Sequence, residues 1–283
     1  MNWWYTLVDL LPFEWAEPGS MYFMKNALLA ILVISPLFGL LSTMVVEKKM
    51  SFFSDALGHS AFTGIAAGTL AGFADPSICA VALAVCFALL FTWVRSRTTL
   101  ASDTVIGVFS STAVALGIFL STLGGRSFTR FNSLLVGDIL SVTPGRIALL
   151  ALILAAVLLL WWFGLNQLTL SAIHPALARS RGIHLERQDA LFNCAVAVVV
   201  TLTMTWVGLL VINSLLILPG AAARNLARNL RQYTVISLLA ALVSGVAGLM
   251  MSYYIGASAG ASITLVLAAL FCLTLALRER ALS

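Results

Sequence analysis

Two ionisable residues stand four apart in an apolar stretch, Met50-Ser-Phe-Phe-Ser-Asp55-Ala-Leu-Gly-His59-Ser-Ala-Phe-Thr-Gly64. On a helix, positions i and i+4 stack on one face about one turn apart, so this spacing predicts that a carboxylate and an imidazole meet. An oxygen and a nitrogen of this kind form a borderline-hard ligand pair suited to Zn(II), Mn(II) or Fe(II). One Asp and one His are only half of a metal site. The same spacing also fits a local ion pair near a membrane surface, with His59 hydrogen-bonded inside a bundle. A second copy of the chain would complete the ligand set. If Asp55 and His59 faced a two-fold axis, two carboxylates and two imidazoles would converge. Open coordination of that sort suits a pathway, because a closed four-ligand cage would trap the ion.

The elements that must position this pair follow from composition. The chain has 283 residues, 61% of them apolar and 10% charged, with 16 basic and 11 acidic side chains and a mean hydropathy of +1.03. Soluble domains run nearer ~45–50% apolar and ~25% charged. Lipid is therefore the solvent for most of this chain, and the fold class is an all-α polytopic membrane protein with about eight transmembrane helices of roughly 20 residues each. A carboxylate in such a crossing costs ~2.5 kcal/mol or more against lipid, so Asp55 must face protein or water. The net charge of +5 reports topology and gives no sign of nucleic-acid binding. The four cysteines lie in apolar runs without CxxC spacing and read as packing residues.

Apolar runs place crossings near 26–46, 52–73, 77–94, 104–123, 147–163, 190–207, 234–254 and 261–277. Two shorter runs, 131–142 and 208–218, read as half-helices or re-entrant segments. Residues 1–25 read as an interfacial amphipathic segment anchored by Trp3 and Trp4, and 26–283 as a single transmembrane domain. Basic clusters at Lys48 and Lys49, Arg95 and Arg97, Arg179 to Arg187, Arg224 to Arg231, and Arg278 and Arg280 mark the cytoplasmic side. The amino terminus then lies outside and the carboxyl terminus inside, a parity that fits nine crossings. Arg126 and Arg130 fall on the outer side and run against the rule. His174 and His184 read as loop residues, and Asn213 and Ser214 as hydrogen-bonding links between helices.

No GxxxxGK[ST] occurs, and none of the three lysines (Lys25, Lys48, Lys49) follows a glycine, so an ATP site of the P-loop kind is not expected. Energy from ATP would have to arrive through a contact surface. The candidate is residues 221–232, read as a short helix after a break at Pro219-Gly220. It carries Arg224, Arg228 and Arg231 on one face, with Leu226 and Leu230 in an apolar seam beside them. An amphipathic connector meeting anionic headgroups has the same pattern.

Three ordered stretches stand out: Ser54-Asp-Ala-Leu-Gly-His-Ser60, Gly137-Asp-Ile-Leu-Ser-Val-Thr-Pro144, and Val207-Gly-Leu-Leu-Val-Ile-Asn-Ser-Leu-Leu-Ile-Leu-Pro-Gly-Ala-Ala-Ala223. Together they resemble a known family, the membrane permeases of bacterial ABC importers for zinc, manganese and iron, called ABC-3. Gly220 stands where the family usually has Ala. The resemblance implies a homodimeric permease in a bacterial cytoplasmic membrane, with Asp55 and His59 as transient metal contacts and no permanently bound cofactor. It implies three partners: a cytoplasmic ATP-binding subunit, an extracytoplasmic metal-binding protein and a second copy of the chain. It also assigns coupling to the ATPase to the segment holding Pro219, Arg224, Leu226, Arg228 and Leu230. Zinc is the favoured cargo, with manganese or iron as alternatives. Asp138 is a weaker candidate that would line an outer vestibule or close a helix break. An ion-coupled secondary transporter would usually need more midplane charge or an internal repeat. An intramembrane aspartyl protease would need a second acid beside Asp55.

Overall fold

The structure, a computed structural model, describes residues 2–9, 13–17, 21–123 and 137–282. Arg126, Arg130 and residues 131–136 of the short run 131–142 lie outside the described residues. The helices are α1 (Asn2–Val8), α2 (Tyr22–Glu47), α3 (Phe53–Leu70), α4 (Pro76–Arg97), α5 (Ser102–Leu123) and α6 (Pro144–Ile173). They continue with α7 (Pro175–Ser180), α8 (Leu185–Val207), α9 (Leu209–Leu226), α10 (Leu230–Ile255) and α11 (Ala259–Leu282). Their boundaries carry local chemical reasons. Pro76, Pro144 and Pro175 open helices at a position where a missing N–H costs nothing. Asp75 accepts a hydrogen bond from Ser77 N and Asn229 from Gln232 N, each satisfying an orphan donor of the first turn.

Eight of these helices are long and apolar enough to cross a membrane. Helix α3 is not among them, because Asp55, His59 and a run of Gly, Ser and Thr lower its hydropathy. Protein shields it instead. An added Cβ on Gly64 would lie 2.6 Å from Ala80 Cα of α4, and one on Gly117 of α5 would lie 2.7 Å from Phe62. Thr63 Oγ1 donates to Ala113 O at 2.6 Å, and Phe53 packs against Phe91 with ring centroids 5.0 Å apart. Small residues let helices approach this closely where lipid offers no hydrophobic drive between them. With α3 counted, the described residues hold nine helices of spanning length, the odd number expected from the charges.

Three of the basic clusters gather at one end. Lys48 pairs with Asp189, Arg95 Nη1 lies 3.9 Å from the same carboxylate, and Arg224 Nη1 is 3.4 Å from Glu47 Oε2. By the charge rule this end is cytoplasmic.

Three sequence expectations are corrected. The amino-terminal tryptophans are not all interfacial: Trp4 and Trp15 are buried in protein. Trp4 Nε1 donates to Lys25 O at 3.0 Å, and Lys25 Nζ, itself buried, reaches Asp9 Oδ1 at 2.5 Å. A second change is that the run 208–218 is no half-helix: α9 continues through Pro219 to Leu226. Proline interrupts the helical ladder, but Gly220 N of the next residue donates to Ser42 Oγ of α2 at 2.8 Å, which ties the proline turn to a neighbouring helix. As a result residues 221–232 are not one helix. They form the last turn of α9, a break at 227–229, and the start of α10 capped by Asn229.

Candidate metal-translocation site

Asp55 and His59 meet as the spacing predicts, with His59 Nε2 3.3 Å from Asp55 Oδ2. Two ligand atoms bound at about 2.0–2.1 Å to one tetrahedral zinc ion lie about 3.3 Å apart. The pair is therefore already spaced to share an ion. The Asp55 side chain is 42% exposed and that of His59 17%, so the carboxylate opens toward the outside of this chain. Among the described residues no three His, Cys, Asp or Glu side chains cluster as a metal site. One copy thus supplies an oxygen and a nitrogen on an open face.

A residue assigned only to helix contact joins the pair. Asn213 Nδ2 of α9 donates to Asp55 Oδ1 at 3.2 Å, while its neighbour Ser214 Oγ accepts from Thr264 Oγ1 at 3.0 Å. The sequence did carry a signal for Asn213, an amide inside an apolar run, but nothing local said which helix it would meet. Helix α9 is brought there by close contacts. A Cβ on Gly58 would lie 2.5 Å from Leu209 Cδ2. A Cβ on Gly137 would lie 2.2 Å from Gly208 Cα, and Gly208 joins α8 to α9 at φ 94°. Only glycine combines that dihedral with such an approach.

A sequence profile of the ABC 3 transport family matches residues 20–278. The chain belongs to this family. It is 31% identical over 257 residues to the high-affinity zinc uptake system membrane protein ZnuB of Haemophilus influenzae, covering 90% of this chain and 97% of that one. It is 30% identical over 252 residues to the manganese import system permease protein ScaB of Streptococcus gordonii, covering 88% and 89%. Among solved structures it is similar to PsaBC from Streptococcus pneumoniae in complex with Fab, with a TM-score of 0.76, 28% identity and coverage of 97% and 95%.

The three stretches that resemble ABC-3 permeases come together in space: the first supplies Gly58 beneath Leu209 of the third, and the second supplies Gly137 against Gly208 of the third. Asp138 does not join Asp55. Its Oδ1 accepts from Leu140 N at 3.0 Å and caps the turn Ile139–Ser141, which makes it a brace for the segment that carries Gly137.

Of the residues read as ATPase contacts, Pro219 is buried within α9. Arg224, Leu226 and Arg228 are exposed, and Leu230 is half-buried. Arg224, Arg228 and Leu230 line a cleft of about 220 Å³ with Met44, Glu47, Ile173 and Tyr233. The face is apolar at its floor and charged at its rim.

Proposed function

We propose that this chain is the membrane permease subunit of an ATP-driven importer of a divalent transition metal, with zinc as the cargo. The observation that carries the reading is the open Asp55–His59 pair, set at a tetrahedral ligand spacing on a helix too polar for lipid. Membership of the ABC 3 family and the similarity to ZnuB support it. Two copies face each other so that two carboxylates and two imidazoles bracket the pathway. An extracytoplasmic metal-binding protein delivers the ion. A cytoplasmic ATP-binding subunit docks on Arg224, Leu226, Arg228 and Leu230 and drives the pathway open inward.

In the resting site His59 Nε2 faces Asp55 Oδ2. An entering ion binds the bare Nε2 of the neutral imidazole, so the ring takes the tautomer that carries its one proton on Nδ1. Four ligands drawn from two movable chains form a site that opens when the chains part, so the ion is held and then released. Manganese is the second reading, favoured by the similarity to ScaB.

Uptake of radiolabelled zinc into cells lacking the native gene tests the proposal. Asp55→Ala at unchanged membrane abundance abolishes uptake, and full uptake by that variant would refute the role. Excess unlabelled manganese leaves zinc uptake intact; suppression of zinc uptake by an equal concentration of manganese would assign the manganese reading instead.

A further inference from the structure

Asn213 holds the oxygen of Asp55 that His59 does not use. The carboxylate is thereby clamped from both sides, with Oδ1 on the amide of α9 and Oδ2 on the imidazole of its own helix. The remaining amide atom, Asn213 Oδ1, is buried and has no hydrogen-bond partner among the described residues. Leaving such an acceptor unsatisfied costs on the order of 1–3 kcal/mol, a penalty that an apolar residue in this helix would avoid. The amide is thus costly as packing and is matched to the carboxylate.

We infer that Asn213 is a positioning residue for the transported ion: it orients Asp55 so that Oδ2 faces the ion beside His59, and it ties that orientation to the placement of α9. This inference rests on the reading of Asp55 and His59 as ion contacts. Hydrogen-bond partners of ligating groups typically contribute about 10- to 100-fold in metal affinity. The tie to α9 adds a release device. Arg224 and Gly220 anchor the far part of this helix to Glu47 and Ser42 of α2, and Arg224 lies about 16 Å along the axis from Asn213. The Asn213–Asp55 bond is 3.2 Å long. A shift of α9 by roughly half an ångström carries it past the ~3.5 Å at which such a contact ceases to be a hydrogen bond. Movement imposed at the cytoplasmic end therefore loosens the site.

Cobalt(II) is the probe, because its visible absorption reports ligand geometry. The permease, assembled with its ATP-binding subunit in detergent, is titrated with cobalt. Asn213→Leu is near-isosteric and lacks the donor; it weakens the titration about tenfold or more and alters the absorption band, while the melting temperature of the complex stays unchanged. Asn213→Gln, which keeps the donor, restores affinity to within about threefold. Asn213→Ala replaces the leucine variant where that variant fails to assemble. Unchanged affinity and band in the donor-less variant, or failure of Asn213→Gln alongside it, overturns the positioning role. Asp55→Ala run in parallel removes the band; a band that survives there refutes the ion-site reading itself, so the two failures are distinguishable.

Discussion

Substituting Gly137 by alanine probes whether the crossing of Gly137 and Gly208 is what sets α9 over the Asp55–His59 pair. Two costs follow from the structure. Gly137 has φ +58°, and a left-handed backbone costs an alanine roughly 1–2 kcal/mol. The new Cβ would also lie 2.2 Å from both Gly208 Cα and Gly208 N, and 2.5 Å from Val207 C. Carbon atoms rest about 3.5–4.0 Å apart, so the two backbones must separate by about 1.3 Å, and no rotamer change relieves a clash with main chain. Overpacking of this kind costs about 1–3 kcal/mol, bringing the total to about 2–5 kcal/mol. Movement of that size at Gly208 displaces Leu209 from Gly58 and stretches the Asn213–Asp55 bond, so uptake falls with stability. Gly72→Ala is the control, since Gly72 has φ +75° but nothing within 4 Å of an added Cβ. It carries the backbone cost alone. Thermal unfolding in detergent and zinc uptake per unit of membrane protein are measured for both variants. If Gly137→Ala proves no worse than Gly72→Ala in both assays, the crossing does not set α9 and the reasoning fails.

Three further outcomes are expected. Ser42→Ala leaves Gly220 N unsatisfied beside Pro219 and lowers stability by about 1–3 kcal/mol; an unchanged melting temperature would mean that α9 passes Pro219 without help from α2. Asp189→Asn leaves Lys48, whose side chain is 3% exposed, without its counter-charge, and breaking a buried pair costs about 3–5 kcal/mol. Membrane abundance should drop sharply, and Lys48→Met in the same chain should recover it, whereas equal abundance of all three proteins would contradict the pairing. Leu226→Asp combined with Leu230→Asp should prevent copurification of the ATP-binding subunit while the permease remains folded, and an intact complex would contradict docking at this face.

How far the sequence reached depended on the range of the interaction. Helices, the basic end and the Asp55–His59 contact all arise within a few residues of chain or from composition, and each is legible in the residues themselves. The reading of 221–232 as one helix failed for the complementary reason. A proline in an apolar run looks like a break when the residue that rescues it is distant in the chain, and Ser42 is 178 positions from Gly220.

By itself, then, the sequence determined the solvent, the all-helical class and the meeting of Asp55 with His59, because helix geometry alone brings i and i+4 together. Only the tertiary structure decided that Asp55 is gripped by an amide 158 positions away, that α3 packs against α4 and α5, and that the two motif glycines, Gly137 and Gly208, touch. These contacts depend on which helices lie side by side. That arrangement is chosen by close packing of small residues across the whole bundle, and local sequence holds no record of the partner.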